Sequence, residues 1–279
     1  MSSASLQKVR RPNKTVGVVG GGQLAQMLIE AARIREIDVV VQSESLDDPA
    51  ARKASKVILA TPKDSAGTTQ LVRDCFSVTF ENEWVNVDAL QAIEKQGGNF
   101  IPSLTALEPL VDKILQRQLL DKLRIPGPSW VRLCSDELGH SKLPMGWNFP
   151  LMAKSGRDGY DGKGTRVIRN FSDLKKLIAK VDPEKWLLEK WISFDKEIAI
   201  VASRDSQGQV RTLPLAQTNQ SNQVCDWVIA PADVNHDVET MAYNIASSLL
   251  THLNYVGVIA IEFFYGKEGL LVNEIASRT

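Results

Sequence analysis

The chain has 279 residues, enough for two or three modest domains, each with a core of its own. Thirty-three Lys and Arg balance thirty-three Asp and Glu, so no overall field favours nucleic acid or an anionic membrane surface. The apolar stretches are strand-sized, well short of the ~20 residues that cross a bilayer, and 43% hydrophobic residues is ordinary for a soluble globular protein.

Residues 1–11 lack the apolar segment of a secretory signal and read as a polar tail. The cysteines (Cys75, Cys134, Cys225) and histidines (His140, His236, His252) are scattered. They offer neither a disulfide framework nor a zinc spacing, which suits a reduced cytoplasm.

Along the first hundred residues strands alternate with helices. Val16-Gly-Val-Val is a strand, 23–35 has apolar residues at helical spacing, and Asp38-Val-Val-Val-Gln, Val57-Ile-Leu-Ala and Ser77-Val-Thr-Phe are further strands. This order predicts a parallel sheet covered by helices. A long amphipathic helix is predicted over 105–124, stopped by Ile125-Pro-Gly-Pro, a natural domain joint. Strands follow at 150–154, 165–168 and 186–192, with a helix at 172–180 between the last two. Long strands at 197–202 and 210–215 and a helix at 238–253 lead to two apolar runs, Val256-Gly-Val-Ile-Ala-Ile-Glu262-Phe-Phe-Tyr and Leu270-Leu-Val-Asn273-Glu274-Ile. Gly266-Lys-Glu-Gly269 is a hairpin turn between them.

Folding that hairpin sets Glu262 opposite Glu274 or its neighbour Asn273, about 5 Å apart at Cβ. Facing carboxylates repel unless a positive charge sits between them, and Mg²⁺ favours one or two carboxylates with phosphate oxygens. The alternative is that one of the two glutamates points to solvent at a strand end.

Two glycine loops stand out. In Gly20-Gly21-Gly22-Gln23-Leu24-Ala25, after a strand and opening a helix, the G-x-G-x-x-A spacing and Glu44 beyond fit a dinucleotide fingerprint, another phosphate held on backbone N–H groups, or a tight turn that needs glycine for packing alone. The second runs Lys154-Ser-Gly156-Arg-Asp-Gly159-Tyr160-Asp-Gly162-Lys163-Gly164-Thr165. It lacks the Walker A spacing and reads as a flap able to close over a triphosphate, with Lys154 and Lys163 toward phosphates, or as a solvated loop.

Together these segments resemble the ATP-grasp superfamily and, within it, the N5-carboxyaminoimidazole ribonucleotide synthase family. The residues carrying the resemblance are Gly20-Gly-Gly-Gln-Leu, Thr79-Phe-Glu81-Asn-Glu83, Gly159-Tyr-Asp-Gly-Lys-Gly, Val228-Ile-Ala-Pro-Ala, Val256-Gly-Val and Val272-Asn-Glu-Ile-Ala, in the family's order and over nearly the whole chain. The resemblance implies an α/β and α+β chain: a Rossmann-like pre-ATP-grasp domain (1–105), a small ATP-grasp lobe with the glycine flap (106–188) and a large lobe with the metal-binding hairpin (189–279).

It implies an ATP-dependent carbon–nitrogen ligase of purine biosynthesis that uses Mg²⁺-ATP and bicarbonate to carboxylate 5-aminoimidazole ribonucleotide, in the cytoplasm and as a homodimer. Lys113 and Lys154 would hold ATP phosphates. Glu189, Lys190, Trp191 and Ile192 would form the adenine hinge, Glu197 would take the ribose hydroxyls, and Glu262 and Glu274, with Asn273, would hold the metal. Gln23, Leu24, one of Glu81 and Glu83, Tyr160 and Lys163 would meet the ribonucleotide. Tyr160, Lys163 and Arg278 would lie at the reacting centre.

Three departures weaken the substrate half. Ser277 stands where the family has Pro, Gln217-Thr-Asn-Gln220 where many relatives have Glu-Asn and a His, and the sequence stops at Thr279 where the family runs on for roughly a hundred residues. The expectation is a core lacking the C-terminal segment, and a module that binds ATP without efficient turnover is the alternative. An NAD-dependent oxidoreductase built on the first glycine loop is a second alternative, but it leaves the flap and the acidic hairpin without a role.

Overall fold

The computed structural model describes residues 14–134, 138, 142–157, 159, 164–221 and 224–278. The polar tail, Tyr160 and Lys163 lie outside the described residues.

Strands β1 (Thr15–Val19), β2 (Asp38–Ser43), β3 (Lys56–Leu59) and β4 (Ser77–Phe80) form a parallel sheet in the order β3-β2-β1-β4. Helices α1 (Gln23–Arg33), α2 (Ser65–Asp74) and α3 (Val87–Lys95) cover it. The valine runs are continuous because both sheet faces are buried, and alternation sorts them. Val18, Val39 and Val41 pack with Ala25 and Ile29 of α1, whereas Val19, Val40 and Val78 pack with Leu71 and Val72 of α2.

The helix expected over 105–124 is broken in two. A short α4 (Leu104–Leu107) passes into a 3₁₀ turn at Glu108–Leu110, and α5 (Lys113–Leu123) starts afresh. Pro109 has no N–H to continue the ladder, and Asp112 caps the new helix by accepting from Ile114 N at 2.8 Å. That cap places Lys113 at the first residue of α5, with Gln116, Arg117 and Leu120 following on one face. Arg124 ends the helix in the left-handed region (φ 54°).

Strands β5 (Trp130–Arg132), β6 (Leu151–Ser155), β7 (Thr165–Ile168) and β8 (Trp186–Lys190) make an antiparallel sheet, order β5-β8-β6-β7, backed by α6 (Phe171–Ile178). Leu151, Ala153 and Leu188 face α6, each fully buried leucine contributing about 1.5–3 kcal/mol. The alternate residues Lys154, Leu187 and Glu189 therefore face the other way, toward α5.

The third sheet runs β12-β11-β9-β13-β14, with β10 (Val210–Thr212) also on β9. Its members are β9 (Lys196–Arg204), β11 (Ala216–Ser221), β12 (Val224–Ile229), β13 (Gly257–Gly266) and β14 (Gly269–Arg278). Helix α7 (His236–His252) covers one face, where Ile198, Ile200, Ile259, Ile261 and Phe263 meet Ala242, Ala246 and Leu249. The opposite face carries Glu197, Glu262, Glu274 and Arg278.

Candidate active site

The hairpin pairs Glu262 directly with Glu274. The next pair is Phe263 with Val272, so Asn273 is an extra residue, a β-bulge. Had Asn273 paired with Glu262 in regular register, Glu274 would fall opposite Ile261 and point into the core. Burial first, and the facing Glu274 second, push the Glu262 carboxyl above its ordinary value, against the opposing pull of Arg278, Lys113 and Lys154. Glu197 is also raised, by burial and then by Glu262.

The cations come from the opposite wall. Lys113 forms an ion pair with Glu274. Lys154 donates to Glu189 Oε2 at 2.8 Å and to Asn273 Oδ1 at 3.0 Å. Arg117 Nε donates to Glu189 Oε1 at 2.6 Å, and its two terminal nitrogens reach Val272 O and Asn273 O at 2.9 and 2.8 Å. Burial would raise Glu189, but Lys154 and Arg117 outweigh it and hold the carboxylate below its usual range. Burial, with Glu189 opposing and Arg117 adding, lowers Lys154. Glu189, expected at the adenine hinge, thus has both oxygens engaged, while Trp191 stands 41% exposed beside it. Phe194 and Phe264 stack at 4.6 Å next to Glu197.

The glycine flap begins against α5, where Lys113 N donates to Gly156 O at 2.8 Å. A Cβ on Gly156 would come within 2.8 Å of Asp112 Oδ1, so a larger residue there would have to displace the carboxylate that caps α5. Glu83, Lys113, Gln116, Arg157, Gly159 and Glu274 line a narrow cleft at this point. Roomier hollows beside α6 and α7 contain none of the residues named for the site.

At the carboxyl end of the parallel sheet, Glu81 occupies the first glycine loop. It accepts from Gly22 N at 2.7 Å, Leu24 N at 3.0 Å and Ala25 N at 3.2 Å, the amides at the start of α1. A Cβ on Gly20 or Gly22 would lie 2.5–2.6 Å from this carboxylate. The loop is glycine-rich to admit Glu81, which sits where a dinucleotide phosphate would bind. Gln23 is exposed above it, and Leu24 is half-buried. Arg278, beyond Glu274 on β14, donates from Nη1 to Ser277 O at 2.9 Å. Ser277 is buried and bonded to the Tyr255 hydroxyl at 2.9 Å, and burial pushes that phenol up to about 12.

Two facing carboxylates, with Asn273 next to Glu274 on β14, suit a hard cation whose remaining ligands are phosphate and water oxygens. Among the described residues no group of three or more His, Cys, Asp or Glu could hold a metal by itself. Sequence reasoning missed Gln116 and Arg117, since polar residues on an amphipathic helix read as its solvated face; only their burial, 5% and 4% exposed, marks them.

A parallel domain leading into two sheets that face a polar groove is the ATP-grasp arrangement. The ATP-grasp domain model matches residues 118–279, and the ribonucleotide synthetase preATP-grasp domain model matches residues 13–110. The chain is 40% identical over 268 residues to the N5-carboxyaminoimidazole ribonucleotide synthase of Synechococcus elongatus, covering 96% of this chain and 68% of that one. The ADP complex of an N5-carboxyaminoimidazole ribonucleotide synthetase superposes with a TM-score of 0.87 at 26% identity, over 98% of this chain and 72% of the other. An Aspergillus clavatus N5-carboxyaminoimidazole synthase with ADP and 5-aminoimidazole ribonucleotide gives 0.81 at 26% identity, over 95% and 70%. The chain belongs to the N5-carboxyaminoimidazole ribonucleotide synthase family.

Proposed function

We propose that this chain catalyses the ATP- and bicarbonate-dependent carboxylation of 5-aminoimidazole ribonucleotide on its exocyclic amine. The observation that carries the reading is the convergence of Lys113, Lys154, Asn273 and the Glu262–Glu274 pair in one groove, in a chain of this family. The proposal includes Mg²⁺, the domain division 1–105, 106–188 and 189–279, a homodimer and the cytoplasm, the last two on the family's strength alone. No described helix is long and apolar enough to cross a membrane.

Adenine would lie against the 189–192 hinge and the Phe194–Phe264 stack, with Glu197 on the ribose. Lys113 and Lys154 would turn from Glu274 and Asn273 to the phosphates and offset their charge, which phosphoryl transfer needs more than covalent help. Glu262, Asn273 and Glu274 would hold Mg²⁺, which when bound neutralises charge building on the β- and γ-phosphates.

A bicarbonate oxygen attacks the γ-phosphorus and ADP leaves, giving carboxyphosphate. The ribonucleotide amine then attacks the carboxyl carbon, phosphate departs and the amine loses a proton. Arg278 would bind the anionic bicarbonate, and the flap would exclude water from the labile intermediate. Gln23, Leu24 and Glu83 would face the ribonucleotide, with Tyr160 and Lys163 assigned there on the resemblance.

The test is ¹³C NMR of the protein with Mg²⁺-ATP, ¹³C-bicarbonate and 5-aminoimidazole ribonucleotide. A carbamate signal that needs all three is expected; ADP formed with no carbamate would contradict the assignment.

A further inference from the structure

Among the described residues no strand lies on the outer edge of β14. Such an edge exposes N–H and C=O groups that must find other partners. Side chains of α5 take that part. Gln116 uses both ends of its amide on one residue, Nε2 donating to Ile275 O at 2.8 Å and Oε1 accepting from Ile275 N at 3.0 Å. Arg117 spans the two carbonyls before the bulge turns, Val272 O and Asn273 O. Together they bracket the extra residue that keeps Glu274 on the groove face.

Arg117 also closes a ring. Its Nε holds Glu189, Glu189 holds Lys154, and Lys154 reaches the side chain of Asn273, whose carbonyl returns to Arg117. Each guanidinium nitrogen makes a bond and the side chain is 4% exposed, so Arg117 is turned into the protein and not presented to a ligand.

Resting on the nucleotide reading of the groove, we propose that Arg117, assisted by Gln116, is a positioning residue. By clamping the bulge it fixes Asn273 and Glu274 where a metal-bound nucleotide needs them. A brace of the fold alone would make the same bonds, so the test must separate the two roles.

Lysine keeps the charge but cannot span two carbonyls as a fork does. Arg117→Lys is expected to melt within a few degrees of the parent. Calorimetry should show it binding metal-free ADP with unchanged affinity and ADP with Mg²⁺ about 10-fold more weakly, the scale of losses when the partners of metal ligands are altered. Gln116→Met, which removes both bonds to Ile275, should show the same selective loss and serves if Arg117→Lys does not fold. Equal weakening of both ADP forms, no weakening, or unfolding of both variants would overturn the proposal. If the parent chain binds neither form, the nucleotide reading itself fails, an outcome distinct from a loss confined to the variants.

Discussion

Lys113 and Glu274, 161 residues apart, are joined in an ion pair at the point where the glycine flap meets the groove. Each is assigned a different ligand in the proposed reaction, the lysine a phosphate and the glutamate a cation. The two side chains therefore neutralise each other in the groove, and Mg²⁺-ATP would exchange these partners.

Glu274→Gln keeps the shape of the side chain and removes its charge. Lys113 then loses its partner, and the Glu262 side of the groove is left with one carboxylate for the cation. ATP turnover, measured as ADP release, should fall by about 100-fold or more, as when a group stabilising transition-state charge is removed. Near-normal release would remove the metal assignment.

The Glu262 carboxyl is raised by burial and by Glu274, so the folded chain holds its proton more tightly than the unfolded chain does. The fold loses stability as pH rises from the ordinary value of 4.5 through the raised one, and retains that contribution below 4.5. Glu262 is exposed on the groove face, so solvent screens this effect, and Glu262→Gln should melt only slightly above the parent near neutral pH, with the gap closing in acid. A gap independent of pH would show that Glu262 is not held under this strain of charge.

Removing Glu189 leaves Arg117 and Lys154 buried together with no carboxylate between them. Glu189→Gln should cost about 3–5 kcal/mol, since breaking one member of a buried ionic group leaves uncompensated charge. Urea unfolding reads this directly, and a loss below about 1 kcal/mol would place the group in the weak class of exposed pairs.

Glu81→Ala would strip the three amides of Gly22, Leu24 and Ala25 of their acceptor. A stability loss of about 2 kcal/mol is expected, the range of a lost helix cap with buried donors left unpaired. Because the vacated helix start resembles a carboxylate site, added acetate should restore part of the melting temperature; indifference to acetate would count against the capping role.

Much of this was legible in the residue order. The valine runs of β1, β2 and β4 and the hairpin of β13 and β14 are apolar enough to declare themselves, and Gly266 and Gly269 mark the turn. The expected 210–215 strand ends at Thr212, with Pro214 just beyond, and β11, Ala-Gln-Thr-Asn-Gln-Ser, is too polar to read as a strand. The turn left Glu262 opposite either Glu274 or Asn273, and regular counting from it reaches Asn273. The bulge that decides for Glu274 was not legible, and the Gln116 and Arg117 side chains that bond beside it come from more than 150 residues away. Likewise the first glycine loop reads as a phosphate site until Glu81 is seen filling it.

The most direct measurement is ADP release by the purified chain with Mg²⁺-ATP and bicarbonate, with and without 5-aminoimidazole ribonucleotide. The account predicts release that rises strongly when the ribonucleotide is added. ADP release that ignores the ribonucleotide, or none from a chain that binds Mg²⁺-ATP, would contradict it.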